Sequence, residues 1–433
     1  MVLAAALPVV AGEYYINLAS QIVIFAVFAA SINLLLGYGG LPTLGHAAYL
    51  GVAAYVSALM QLKFGFSHWM AAPIALLGTT LVACAFGLIA LRATGLGFLM
   101  LTLALSQVLW GTAYRWVSVT DGDNGLRGLA RPAPVGLDLN EAMPFYYFVL
   151  AIGVIAIWMM ARFVGSPFGA TLKGTRDQPR RMSALGYDVW LIRWITFVYA
   201  SFWGAVSGLL FVYYHKYIHP VSLSLANSAE GLLAVIAGGS GTLAGPIVGA
   251  AIVLLLKNLA SAYVDRWSML LGFVFVLIVV FMPEGLGPGI RRWWKEPIKY
   301  RVEIGFALAP MVPVIAVTVW QLALRNPAWD FVLVWGIVFA YGAMLIIAAP
   351  LYVGLSQFIA FHWAACLGSA LLCGFVVWLA QYLAPAMIPP RIGYPGPLPF
   401  MFFGSAGLVA GFAFWLIVRA LAPRQARVLA LQA

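Results

Sequence analysis

Charge is scarce in this chain. Its 433 residues include 24 Lys and Arg, 13 Asp and Glu and 5 His, whereas 64% belong to the apolar set. So few charged side chains cannot cover the surface of a soluble protein this long, which excludes a water-soluble globule. The alternative solvent is lipid, where every backbone N–H and C=O must be paired within its own segment. Long apolar runs must therefore become helices. The apolar/polar alternation of a transmembrane β-strand is missing as well. Continuous apolar blocks stand in its place, and the mean hydropathy is +0.98.

Other absences narrow the chemistry. The cysteines Cys84, Cys366 and Cys373 lie within apolar blocks and read as packing residues, without a redox or metal signal. No G-x-x-x-x-G-K-S/T occurs, so the chain cannot hold ATP in a P-loop. Gly239, Gly241 and Gly245 have the wrong spacing for a dinucleotide fingerprint, and no strand precedes them. Asp121–Gly125 (DGDNG) opens like a calcium loop but lacks the later acids and the closing Glu. His215 and His219 are spaced to share a helix face as metal ligands. Tyr213, Tyr214 and Tyr217 beside them favour an interfacial belt instead. No metal or cofactor is expected. A membrane enzyme acting on lipid would need clustered Asp, Glu, His or Lys near one interface, and none is found. An ion-coupled carrier, the closer alternative, would need ionisable groups mid-helix, where Glu230 at a segment start is the nearest candidate.

The net charge of +11 is not arranged for nucleic acid. The cations gather in loops, as the positive-inside rule describes for cytoplasmic segments. Apolar blocks are expected at Tyr15–Leu36, Ala47–Leu62, Trp69–Leu91, Gly95–Trp116, Phe145–Phe163, Ile195–Tyr214, Ser228–Ala260 and Trp267–Met282. Two basic loops, Val164–Trp194 and Arg291–Arg301, should both be cytoplasmic. Between them the chain must cross an even number of times. Ser228–Ala260, cut by Gly238–Pro246, is therefore a re-entrant hairpin or two short helices, never one straight span. Four further blocks, Phe306–Leu324, Phe331–Ala349, Phe358–Leu383 and Pro399–Ala420, would return a C-terminus carrying Arg419, Arg424 and Arg427 to the cytoplasm. Met1–Gly12 lacks the charged region and cleavage site of a secretory signal, and is expected to be a helix fragment or a truncated start. The fold class is all-α, a polytopic transmembrane helical bundle.

Three stretches are unusual for lipid-spanning helices. In Gly37–His46 (GYGGLPTLGH), Gly37, Gly39, Gly40, Pro42 and Gly45 cannot stay helical, and the backbone groups they free need burial or a water-lined path. His46 at its end could contact solute or serve as packing. Gly238–Pro246 (GGSGTLAGP), with Gly238, Gly239, Gly241, Gly245 and Pro246, has the same chemistry. Two broken segments mark a midplane solute path in many transporters. Close helix packing through small residues is the other reading. In Thr171–Gly186, Asp177 or Gln178 can cap a helix, Pro179 suits its first position and Gly186 a left-handed stop. The result is a short cytoplasmic helix, basic at Arg176, Arg180 and Arg181, with Met182 and Leu185 on its other side. An ordinary solvated connector is the alternative.

On these motifs the chain resembles the LivM-type permeases of branched-chain amino acid ABC importers. Gly37–Tyr55 looks like the family's early glycine/His signature, and Thr120–Pro132 (TDGDNGLRGLARP) is similar to its external-loop motif. Arg176–Gly186 stands at its ATPase-coupling loop, while Gly238–Ala250 and Met282–Gly287 (MPEGLG) match its late motifs. The resemblance implies an inner-membrane permease domain over 1–290, with no catalytic centre. Its partners would be a LivH-like second permease, two cytoplasmic ATPase subunits and a periplasmic solute-binding protein. Urea and short-chain amide permeases share these motifs. Pro179, Arg181 and Met182 depart from the family's usual glutamate and small residues. Residues 291–301 read as a basic linker, and 302–433 as a four-helix extension that the resemblance does not reach.

Overall fold

The computed structural model describes residues 8, 12–132, 139–263, 272, 275, 285–286, 301–315, 340–341, 344 and 400–420. They belong to two units, residues 1–256 with 284–287 and residues 257–283 with 288–433.

The first unit begins with α1 (Glu13–Asn33), which continues as a π-helical turn over Leu34–Tyr38. After the first glycine-rich break come α2 (Ala47–Leu62), α3 (His68–Ala90) and α4 (Leu96–Arg115). A two-residue strand β1 (Leu126–Arg127) precedes α5 (Ala142–Gly165). Two short helices, α6 (Pro167–Asp177) and α7 (Pro179–Ala184), lead into α8 (Val189–His215). Then follow β2 (Tyr217–Ile218), α9 (Leu225–Gly238) and α10 (Ala244–Tyr263), of which the residues up to 256 belong to this unit. Among the described residues five helices are long and apolar enough to cross a membrane: α1 with its π turn, α3, α4, α5 and α8.

The apolar blocks foresee most of these boundaries, and the departures have local causes. α8 begins before the expected Ile195 because Asp188 caps it, its carboxylate accepting from Leu191 N at 3.0 Å. The expected loop 164–194 is largely helical, since Ser166 caps α6 by accepting from Gly169 N at 3.3 Å and Pro167 follows at the first position.

α1 and α8 form the centre of the bundle. In their most apolar stretches 72% and 67% of residues are buried, against 22% in α3, 22% in α4 and 28% in α5. The outer helices turn Leu77, Leu81, Met100 and Trp158 outward, as side chains bathed in acyl chains would be. Glycines let backbones approach closely. A Cβ at Gly208 of α8 would run into the Leu50 carbonyl of α2.

At one end of this bundle β1 and β2 pair antiparallel, Leu126 with Ile218 and Arg127 with Tyr217. Arg131 ties this end together. It donates to the carbonyls of Tyr213 (3.0 Å), Leu139 (2.9 Å), Asn140 (3.3 Å) and Tyr214 (3.3 Å), and lies 4.1 Å over the Phe145 ring. Burial pulls its pKa below the ordinary guanidinium value.

α9 and α10 run antiparallel, with Gly238 against the Gly245 carbonyl and Gly249 against that of Ala234. Ser228–Ala260 is thus two helices joined at glycines and not one straight span, which agrees with the charge parity; a re-entrant hairpin and a pair of short crossings are both built this way. The break is shorter than expected: Gly245 and Pro246 already lie in the first turn of α10, where proline is tolerated because its N–H would have no helical partner.

In the second unit, α11 (Arg301–Leu308) and α12 (Phe400–Ala420) pack through Phe306 and Phe414, whose rings are 4.7 Å apart. α12 coincides with the expected block Pro399–Ala420. The basic stretch 291–300 and the block Phe358–Leu383 lie outside the described residues, as do Cys366, Cys373, Arg424 and Arg427. So do Trp267–Met282 and Phe331–Ala349, apart from isolated positions.

Candidate functional site at the junction of the broken segments

The two glycine-rich breaks meet. Gly37, still within the π turn although expected to break the helix, and Gly39 just after it are buried, and Gly40 is exposed with φ +66°. Pro42 is half-buried, and a Cβ at buried Gly45 would collide with the Thr102 carbonyl of α4. His46 is 0% exposed. Its Nε2 lies 2.9 Å from Ser31 Oγ, and its ring sits between Phe28 and Tyr49 at 5.7 and 5.6 Å. It is thus a packed interior residue. The next residue, Ala47, donates its N–H to Ser228 Oγ at 3.0 Å, which sets the starts of α2 and α9 side by side inside the bundle.

In the second break Gly239 and Gly241 adopt φ of +111° and +79°. Thr242 closes the turn: its hydroxyl donates to the Gly239 carbonyl at 3.0 Å and accepts from Gly245 N at 3.1 Å. Gly285, from the late MPEGLG motif, lies against Gly239.

Asn33, the last residue of α1, holds the two breaks together. Its Nδ2 donates to the Thr242 carbonyl and its Oδ1 accepts from Gly241 N, both at 2.9 Å. The side chain is 1% exposed. One neutral amide thereby satisfies a donor and an acceptor that a helix break leaves open in a medium without water. Gly37 must be glycine here, because a Cβ would strike both Asn33 Oδ1 and Gly241 N. Sequence reasoning missed Asn33; the one signal was a carboxamide near the end of an apolar run.

A third segment reaches the same point. Arg176, in the last turn of α6, donates from Nη1 to the Gly37 carbonyl and from Nε to Asp177 Oδ1 at 2.8 Å. Its aliphatic stem covers Gly40, where a Cβ would stand 2.6 Å from Arg176 Cγ. The Lys173 ammonium lies 5.5 Å from the Tyr38 ring centre, and Arg193 of α8 donates to the Thr175 carbonyl at 3.3 Å. Leu172 of α6 is buried in the same apolar cluster as Leu34, Leu35 and Tyr38.

The adjoining helix α7 is different. Pro179 occupies its first position, Gly186 follows it at φ +88°, and none of its residues is buried. Gln178 stands at the N-cap without capping through its side chain, and Asp177 is engaged by Arg176 instead. Arg180, Arg181 and Leu185 are exposed. Met182 lies away from the exposed arginines, as expected, but it does so without Leu185. It turns toward α6, its Sδ 2.7 Å from where a Cβ at Gly174 would be.

Among the described residues no three His, Cys, Asp or Glu gather as metal ligands. α8 ends at His215 and Lys216 turns the chain at φ +58°, so His215 and His219 share no helix face. His219 Nε2 lies 3.5 Å from Asp123 Oδ1, and His215 stacks among Phe211, Tyr214 and Tyr217.

The family described as branched-chain amino acid transport system / permease component matches residues 14–280. The high-affinity branched-chain amino acid transport system permease protein LivM of Escherichia coli (strain K12) is 24% identical over 318 residues, covering 68% of this chain and 75% of that protein. The probable branched-chain amino acid transport permease protein LivM of Methanocaldococcus jannaschii is 24% identical over 317 residues, covering 61% of this chain and 90% of its own length. LivH of Escherichia coli (strain K12), a permease protein of the same system, is 21% identical over 282 residues, covering 60% and 90%. No solved structure matches the chain.

Proposed function

The chain belongs to the branched-chain amino acid transport permease family, and from that premise we propose that it is the LivM-like membrane-spanning subunit of an ATP-driven importer. It is a multi-pass permease component of the inner membrane, and its relatives are permeases, not enzymes. The solute is a branched-chain amino acid. A second, LivH-like permease completes the pore, two cytoplasmic ATPase subunits drive it, and a periplasmic binding protein delivers the solute. Residues 1–290 form the permease domain, and 291–301 a basic linker. Residues 302–433 are a helical extension outside the translocation machinery whose C-terminus faces the cytoplasm.

The observation that carries this reading is the elbow at Gln178. α6 is anchored in the bundle core through Leu172, while no residue of α7 is fully buried: Met182 turns in against α6 and the others are exposed. A helix meant only to connect two spans has no reason to be held so firmly at one end and so bare at the other. A docking knob does. Arg180, Arg181 and Leu185 form its outward surface, complementary to a partner groove lined with carboxylates around an apolar floor.

Co-purification of the ATPase with the chain tests the assignment. Leu185→Asp should abolish capture of the ATPase without preventing insertion, because the site lies outside the bilayer. Arg181→Glu should weaken capture at least tenfold and in a salt-dependent way. Capture and solute-stimulated hydrolysis unchanged in both variants would make α7 a plain connector. Uptake that continues without ATP, on a proton or sodium gradient, would remove the importer assignment altogether.

A further inference from the structure

We propose that Asn33 and Arg176 are the positioning residues through which an ATPase moves the two broken membrane segments, and that together they form a lock that opens in each transport cycle. This rests on the importer reading above.

The inference starts from a convergence. Asn33 reaches partners 208 and 209 residues away, and Arg176 reaches one 139 residues away. All of these bonds end on backbone groups at the junction of the breaks. Arg176 lies two residues before the elbow at Gln178, so any tilt of α7 is felt there first. Its side chain remains 37% exposed, and its ionic partner Asp177 lies on its own helix. Among the described residues, the Gly37 carbonyl alone on another segment receives a hydrogen bond from its guanidinium, so one exchange with water releases that bond. Asn33 differs in being buried and doubly bonded. Gly37 packs against both ends of the Asn33–Gly241 hydrogen bond, so a shift of Gly37 bears directly on it. Movement therefore passes in order from α7 to Arg176, to the Gly37 carbonyl, to Asn33 and then to the 239–243 turn. Glycines at positive φ flank both ends of that route, at Gly40 and Gly241, where the backbone can swing without a side chain to obstruct it.

The test uses the assembled transporter in lipid vesicles, with uptake and ATP hydrolysis measured together. Arg176→Ala should leave the ATPase bound and hydrolysing while solute moved per ATP falls at least tenfold. Arg176→Lys, which keeps one donor, should recover part of that ratio. Asn33→Asp keeps the acceptor for Gly241 N but loses the donor to Thr242, and should uncouple in the same direction. A conformational readout accompanies these. Ser240 is exposed beside the junction, so Ser240→Cys in a background lacking Cys84, Cys366 and Cys373 can be labelled with a maleimide. Its labelling rate should differ at least fivefold between nucleotide-free and ATP-trapped states, and Arg176→Ala should abolish that difference. A purely structural role would lower the yield of assembled protein and leave both the ratio and the labelling difference intact, which would overturn the proposal. If Asn33→Asp does not fold, the Arg176 variants decide alone. Failure of the wild-type chain to capture any ATPase would instead remove the importer reading, and the lock with it.

Discussion

Two arginines close the two ends of the first unit, and they do so differently. Arg131, at the end with β1 and β2, donates to four carbonyls from two stretches of chain and rests on Phe145. Arg176, at the end with α6 and α7, reaches among the described residues a single carbonyl on another segment and is otherwise engaged by its neighbour Asp177. Both use a guanidinium to collect backbone acceptors left open by irregular chain, which a planar fork of donors does well. The difference is redundancy. Four bonds in parallel cannot be lost by any small motion, so the first end is fastened. A single bond from a half-exposed side chain breaks and re-forms cheaply, so the second end is jointed. Number of contacts, more than charge, separates a clasp from a hinge here.

Thermal unfolding of detergent-solubilised single variants should sort the two ends by that redundancy. Arg131→Ala has the largest expected effect, a loss of about 2–3 kcal/mol, because several charge-assisted hydrogen bonds go at once and partly buried carbonyls are left unpaired. Solute uptake per folded molecule should stay near wild type. Asn33→Ala comes next at about 1–2 kcal/mol, one donor and one acceptor being orphaned together. Arg176→Ala should cost less than about 1 kcal/mol, since its pairing is half solvated. Smallest of all is Asp123→Asn, which weakens an exposed contact to His219 and should leave the transition where it was. Should Arg176→Ala destabilise as strongly as Arg131→Ala, both ends are clasps and the contrast fails.

The apolar blocks made the helices legible because a bilayer forces backbone pairing within each run. α2 occupies Ala47–Leu62 as read, and α3 is displaced by one residue. The breaks were legible for the converse reason, glycine and proline being unable to continue a helix. Partnership between the breaks was not, since no periodicity links Asn33 to Gly241. α6 illustrates a signal present but passed over. Ser166–Pro167 is a cap followed by a first-position proline, the same signature that located α7 at Gln178–Pro179. Its apolar side was hidden among cations, Lys173 and Arg176, that turned out to be tied to Tyr38 and Gly37. What Met182 packs against was not legible, because helical spacing places a side chain on a face without saying what lies opposite, and Gly174 of the preceding helix offers it a recess.

The brevity of α9 also constrains how the protein is made. Its 14 residues extend about 21 Å, well short of the roughly 30 Å hydrocarbon layer. When α9 leaves the ribosome, the insertion machinery meets a segment too short to be released into lipid as a span. One side of it is also complementary to a helix not yet synthesised, since Gly238 lies against Gly245 and Ala234 against Gly249 of α10. The nascent chain must therefore hold α9 in a protein-lined or aqueous setting until α10 has emerged, and the two enter the bilayer together as a hairpin. The order of birth of these helices is thus not the order in which each becomes a membrane segment.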